Sequence, residues 1–302
     1  MSEYFYQLMK AKIICLICKS KRFEIIYPMA GYKLAKCKSC SMIWDPFVRV
    51  DQKTLYNKDY FINDNPKGGY KNYFEGMKIN RKTFKERIKK ISRLIKKKQD
   101  LLDLGCALGD CLLEAKSLGW KKIEGIDPSR YAASFARKRG LSIKCGTLES
   151  LKLKKNKYNV VLCQDVAEHL QNPVGSLKLI SKILKPNGLL YIITPNVSGN
   201  WSKVLKSFWY HYKPEEHISY FSPETISLAL KKASFTDIKI NSALHIMSVE
   251  YILQRLTYYS PFLARIFLNL SKAFNLNNFS FKINTGEMEI LAYNKKNEKT
   301  TK

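Results

Sequence analysis

Two groups of residues in this sequence have the types and spacing for chemistry. Cys15-Leu-Ile-Cys18 and Cys37-Lys-Ser-Cys40 are two C-x2-C pairs separated by eighteen residues. That is the spacing of two knuckles offering four thiolates to one tetrahedral Zn²⁺. Four thiolates close the coordination shell, so a metal held there is structural and catalysis lies elsewhere. The second group comprises Asp103, Gly105, Gly109, Asp127, Glu168, His169 and His217. Gly105 and Gly109 stand where the apolar run Leu101–Leu104 passes into a helical pattern, so the backbone can turn there and approach a ligand without Cβ interference. A strand, glycine turn and helix also serve as a plain connection. Asp127 argues for more, because it ends a second strand 22 residues after Gly105, placed to accept hydrogen bonds from ribose hydroxyls.

His169 follows a fourth strand, at the carboxyl edge where open α/β sheets bind ligands, and a histidine titrates near neutrality. It suits a general base, although a histidine opening a helix is equally satisfied by backbone. Glu168 could pair with it or ligate a divalent cation, but no third ligand is evident. His217 is the preferred base. It lies in Trp201–Ser222, a connector dense in aromatic residues and long enough to form a lid over a substrate. Ser222-Pro223-Glu224 then caps the next helix.

Holding these residues together takes alternating strands and helices. Strands are expected at Leu101–Leu104, Lys122–Asp127, Leu141–Cys145, Tyr158–Gln164, Leu189–Thr194 (after a turn at Pro186-Asn-Gly188) and Asp237–Ile240. Phe279–Tyr293 reads as a terminal hairpin turning at Asn284-Thr-Gly286. Phe84, Ile88, Ile91, Leu94 and Ile95 recur at helical spacing before the first strand; Arg81 and Arg87 belong on the solvated side of that helix, although either could reach a cofactor. The predicted fold class is α/β, a Rossmann-like sheet of about seven strands with helices on both faces, plus a small amino-terminal zinc ribbon. The expected divisions are a ribbon over 1–50, a tyrosine-rich connector (Tyr56, Tyr60, Tyr70, Tyr73) and amphipathic helix over 51–98, a core over 99–245, amphipathic helices and hairpin over 246–294, and a disordered tail over 295–302.

On these residues, about 98–232 resembles the class I S-adenosylmethionine-dependent methyltransferases. The motifs are Leu102-Asp-Leu-Gly-Cys-Ala-Leu-Gly109, Gly125-Ile-Asp-Pro-Ser129, Asp165-Val-Ala-Glu-His-Leu170, Leu184-Lys-Pro-Asn-Gly188 and Thr194-Pro-Asn196. The chain is most similar to the branch that includes the ubiquinone-pathway O-methyltransferases. A zinc-binding amino-terminal module is similar to that of sugar C-methyltransferases. The resemblance implies that Gly105 and its turn hold the methionine part of S-adenosylmethionine, Asp103 orients it, Asp127 binds the ribose, and Thr147, Leu148 and Gln164 flank the adenine. Gly109 and Asp165 complete that set. One departure is Ala107, where the family usually has a second glycine; alanine prefers φ below zero and so narrows the turn. The glycine spacing is not G-x-G-x-x-G, which argues against a dinucleotide.

The 302 residues, 45% hydrophobic, suffice for one large core and a small attachment. A net charge of +28 attracts anionic partners, yet only 10 of the 53 basic residues are Arg, which looks more like lysine drift than a patch built for phosphate. The expected acceptor is a small molecule of sugar, lipid-linked glycan or isoprenoid type. The rival is RNA, docked by the ribbon (Tyr27, Tyr32, Lys33) and the basic surface; a non-enzymatic cofactor-binding protein is third. Two amphipathic helices over Ile246–Phe274, broken at Pro261, are expected to pack on the core or form a homodimer face, with contact to an anionic membrane as the other use. Cysteine usage, the mixed start Met1–Lys12 and the lack of a long apolar run point to the cytoplasm, peripheral to a membrane at most.

Overall fold

The computed structural model describes residues 13–29, 31–47, 56–62, 73–95, 98–213, 216–256, 260–274, 276 and 279–295. The expectations for Met1–Lys12, Tyr70 and the tail beyond Lys295 lie outside these residues.

The two cysteine pairs make the same turn. Lys19 N–H donates to Cys15 O (3.2 Å) and Ser41 N–H to Cys37 O (2.9 Å), and both closing residues adopt φ 62°. The Cys15 and Cys40 sulfurs are 3.5 Å apart, as are those of Cys18 and Cys37, and all four lie within 4.8 Å of one another. A zinc with bonds of about 2.3 Å would set its sulfurs roughly 3.8 Å apart, so the cluster fits that metal. Between the knuckles, β1 (Phe23–Met29) and β2 (Tyr32–Cys37) pair antiparallel, and β3 (Ile43–Trp44) adds to β2.

The chain continues through α1 (Lys58–Ile62) and α2 (Tyr73–Leu94) into the main sheet. Its first part is β4 (Asp100–Leu104), α3 (Asp110–Ser117), β5 (Lys122–Asp127), α4 (Arg130–Lys138) and β6 (Ser142–Cys145). There follow β7 (Tyr158–Gln164), α5 (Pro173–Ile183), β8 (Leu184–Pro195), α6 (Asn200–Leu205), β9 (Ser219–Tyr220), α7 (Pro223–Lys232) and β10 (Phe235–Ser242). Last come β11 (His245–Ser248), α8 (Val249–Leu256), α9 (Pro261–Ala273), β12 (Ser280–Ile283) and β13 (Glu287–Asn294). The sheet order is β10-β13-β8-β7-β4-β5-β6, parallel from β8 to β6, with β13 antiparallel to both its neighbours: the expected Rossmann-like sheet. Alternate residues of β7 supply two cores, Val161 and Cys163 packing with α5 and α7, Val160 and Leu162 with α2, α3 and α4. Helices on both faces explain why the strands read as unbroken apolar runs.

Three expectations change. Pro186-Asn-Gly188 lies within β8 as an irregularity, with Asn187 at φ 58° and the β7–β8 register slipping between Tyr158 and Val160. The terminal hairpin does not form: β12 pairs with β11 in a separate two-stranded sheet, while β13 enters the main sheet. Asn284 divides them, because its Nδ2 donates to Ala243 O (2.8 Å) and Glu287 O (3.0 Å) while its Oδ1 accepts from Gly286 N–H (2.9 Å). The ribbon is not a separate attachment either. β9, from the expected lid, pairs with β3, and Asp45 N–H donates to Ile218 O at 2.8 Å. Ile13, Ile17, Met42 and Trp44 share one core with Val161, Leu190 and Ile226. The ribbon's apolar face is thus covered by the main domain, and its outer strand is paired by β9.

Protein purified without chelator is therefore expected to hold about one zinc per chain. Stripping the metal should raise hydrogen exchange in 216–222 as well as in the ribbon, since the two share a sheet. Metal-free protein with unchanged exchange would show that packing alone holds the knuckles.

Candidate functional site

The turn after β4 is built for close approach. Gly105 has φ 69°, and a Cβ there would meet Val166 Cγ2 at 2.4 Å. Gly105 and Cys106 N–H both donate to Ile126 O (2.8 and 3.1 Å), tying the turn to β5. Ala107 takes φ 45°, the left-handed conformation that a glycine would adopt freely. That geometry costs about 1–2 kcal/mol in an L-residue. The Ala107 N–H donates to Asp127 Oδ2 at 2.8 Å, an offsetting bond to a buried carboxylate. Ser129 N–H donates to Asp127 Oδ1, also at 2.8 Å, and the Ser129 hydroxyl caps α4. Gly109, at φ 86°, packs instead of lining the site: a Cβ there would meet Leu141 Cδ1 at 2.3 Å.

These elements surround a cavity of about 300 Å³ at the carboxyl edge of the sheet. Asp103, Gly105, Asp127, Thr147, Leu148, Gln164, Asp165, His169 and His217 line it, and Gly109 does not. Tyr56 and Tyr60 of the connector, and Tyr210, His211 and Lys213 of the aromatic segment, form the remaining wall, so the segment expected to be a lid does border the site.

The cavity is crowded with carboxyl groups. Burial, and then the charge of Asp127, pushes Asp103 up to about 8. Burial pushes Asp127 up to about 6 against the pull of its two N–H bonds. Asp165 is raised by its enclosure and then by Glu287, and Glu168 is raised by burial and then by Asp165. Thr194 Oγ1 donates to Glu168 Oε2 at 2.9 Å. Glu287 behaves oppositely: although burial opposes it, His245 holds it well below the usual carboxylate range, aided by His211 and Arg87.

Arg87 corrects the sequence reading. It is only 6% exposed, donates from Nη1 to Gln164 Oε1 (3.0 Å) and sets Nη2 3.0 Å from His245 Nε2, which also bonds Glu287. Its place three residues after Phe84 and four before Ile91 puts it on the buried stripe of α2, a signal that its charge outweighed. Arg81 does stay half-exposed, paired with Glu114. His245 and Glu287 were missed. Two acids, Glu287 and Glu289, opening the otherwise largely apolar strand β13 were the available signal for Glu287; nothing local marks His245.

The histidines are oriented by carbonyls. His217 Nδ1 lies 2.9 Å from His211 O and His169 Nδ1 2.7 Å from Glu216 O. A carbonyl only accepts, so each Nδ1 carries the proton and each Nε2 keeps its lone pair. Burial lowers His169 to about 4, and burial followed by His169 lowers His217 well below the usual range, so neither titrates near neutrality as position suggested. One carboxylate oxygen of Glu168 and one ring nitrogen each of His169 and His217 lie within 4.8 Å of one another. His217 completes a candidate three-ligand set that the sequence did not reveal, and the trio can accept a proton or hold a divalent cation.

Residues 77–240, more than half of the chain, match the family described as "Methyltransferase domain". Curated relatives include ubiquinone biosynthesis O-methyltransferases of Haemophilus ducreyi (33% identical over 107 residues, 32% of this chain and 45% of that protein) and Pelagibacter ubique (35% over 129 residues, 41% and 50%). The chain thus spans about half the length of the curated relatives it matches. Solved structures similar in fold include S-adenosylmethionine-dependent methyltransferases from Thermotoga maritima (TM-score 0.52, 18% identity, 74% of this chain and 95% of that one) and Archaeoglobus fulgidus (0.50, 23%, 73% and 98%).

The raised carboxyl groups fix a pH dependence. The folded chain holds protons on Asp103 and Asp127 above the range where the unfolded chain releases them, so their stabilising contribution is complete at low pH and lost as pH rises through about 6 and about 8. The lowered histidines act oppositely, but only below about pH 6.5. Melting temperature without ligand should therefore fall between about pH 6.5 and 8.5, and Asp103→Asn should flatten that fall. A flat wild-type profile would mean that Asp103 is ionised throughout.

Proposed function

Because the chain belongs to the methyltransferase-domain family, we propose that it transfers the methyl group of S-adenosylmethionine to a small-molecule acceptor. The observation that carries this reading is the cavity's excess of buried carboxyl groups beside a turn open to close approach. A ligand with a net positive charge relieves that excess, and S-adenosylmethionine has one. It supplies a methyl group already activated on a sulfonium. Each oxygen of Asp127 accepts one N–H bond and retains a lone pair for a ribose hydroxyl. Thr147 and Leu148, just beyond β6, border the adenine. Gln164, held in the cavity wall by accepting from Arg87 and donating to Cys111 Sγ, retains an N–H and a lone pair and borders the adenine with them.

On the acceptor side His217 Nε2 takes the proton, its ring held by the bond to His211 O. Tyr56 and the aromatic segment keep water out. The name of the curated relatives supports an oxygen nucleophile on an isoprenoid-type acceptor; sugars and lipid-linked glycans are the other acceptors to try. RNA docked by the ribbon is less supported, since Tyr32 is buried and hydrogen-bonded to Tyr220 at 2.8 Å, leaving it unable to stack a base. A second reading rests on the Glu168–His169–His217 convergence, in which the trio holds a divalent cation beside the acceptor.

Asp127→Ala is expected to weaken S-adenosylmethionine binding by about 1–3 kcal/mol in calorimetry of the folded variant. Unchanged affinity would remove Asp127 from the cofactor site. His217→Ala should keep that affinity and lower turnover about 10²–10⁴-fold. A matching loss in His169→Ala alone would move the base there. Turnover that needs an added divalent cation, with Mn²⁺ and Zn²⁺ tried beside Mg²⁺, and collapses in Glu168→Gln would select the cation reading.

A further inference from the structure

The excursion between β11 and β12 carries α9, for which the sequence left packing on the core, a homodimer face and contact with an anionic membrane as alternatives. Only a narrow stripe of it is buried. Ala264 and Ser271 are buried and Leu268 is half-buried, whereas Phe262, Leu263, Ile266, Phe267, Leu270 and Phe274 are all exposed, Phe262 by 74% and Phe274 by 70%. At 3.6 residues per turn those six fall within an arc of about 140°, an apolar face wider than the buried one. Arg265, Asn269 and Lys272 border it, and neither Arg265 nor Lys272 forms an ion pair among the described residues. From Tyr251 to Gly286 the sequence has no acidic residue but carries Arg255, Arg265, Lys272 and Lys282.

We propose that α9 docks this protein on an anionic lipid surface, its apolar face entering the acyl boundary and its basic border meeting the headgroups. Both halves of that chemistry are required: an exposed apolar face asks for cover, and charge decides whose. A second copy packing α9 against α9 would bring the same basic border and no acid from that helix to meet it, in a chain of net charge +28. An anionic bilayer supplies apolar depth and negative charge together. Among the described residues no helix is long and apolar enough to cross a membrane, so the helix lies in the interface. His245 opens the excursion and lines the cavity, so the docked helix belongs to a segment that starts at the cavity wall. The inference is independent of methyl transfer and is tested without turnover.

The full chain is mixed with phosphatidylcholine vesicles with and without phosphatidylglycerol, at low and high salt, and sedimented. Binding is expected on the anionic vesicles, falling with salt and at least about tenfold weaker on neutral ones. The double variant Phe262→Ser with Phe267→Ser alters only exposed side chains; it should keep the melting temperature and lose binding about tenfold. Arg265→Glu with Lys272→Glu should lose it comparably. Undiminished binding by the phenylalanine variant would overturn the proposal, because charge alone would then explain adhesion. So would wild-type self-association in sedimentation equilibrium that the phenylalanine variant abolishes, since the face would belong to a second copy.

Discussion

The crowding of carboxyl groups at the carboxyl edge of the sheet is the constraint on which the other features turn. Ionised carboxylates are costly away from water unless something meets them. Asp127 is met by two backbone N–H groups, and that is what bends the glycine turn into its left-handed path through Ala107. Glu287 is met by His245, and by the charge of Arg87 beside that histidine, which draws α2 and the β11 excursion onto the same edge. Asp103 has no such partner among the described residues, and burial beside Asp127 keeps it protonated to an unusually high pH. The acidity is local, set inside a strongly basic chain, so the cavity and the outer surface favour ligands of opposite sign.

The position of the histidines depends on the ribbon, far from any chemistry of its own. Ile218 is the hinge pin: its N–H donates to Glu168 O at 2.9 Å, and its carbonyl accepts from Asp45 N–H at 2.8 Å. His217 precedes it and inherits its position. Tyr32 and Leu34 of β2 pack with Trp209 and Tyr220, extending the same clamp over the aromatic segment. A closed four-thiolate site is chemically inert, yet here it fixes one end of the cavity wall that carries His217.

Local spacing made part of this legible. The four cysteines, the glycine turn and Asp127 sit at separations set by single turns and single strands, and the apolar runs of β4, β5, β7 and β8 are long enough to read. What stayed hidden depends on pairing between distant segments. His245 has meaning only because Glu287, 42 residues later, lies opposite it. The hairpin failed for the same reason, since β13 is buried almost throughout and such a strand needs neighbours on both sides, which adjacent sequence cannot reveal. Arg87 is a different failure: its helical phase was correct, and the usual preference of arginine for water was allowed to override it. The histidines line the cavity but do not titrate as their positions suggested, because enclosure is a property of the fold.

The place of β13 has a consequence for how the molecule is made. Glu287–Asn294 lies between β8 and β10, although every other strand of the sheet precedes it in the chain. A ribosome adds about 5–20 residues per second, so β8 and β10 spend several seconds outside it with no strand between them. Through that interval Ile192, Ile193 and their neighbours face an open edge, which suits chaperone capture and invites pairing with a second nascent chain. Crowded polysomes should therefore be the setting in which this chain is most prone to aggregate, and a pause in translation just before codon 287 the most damaging one.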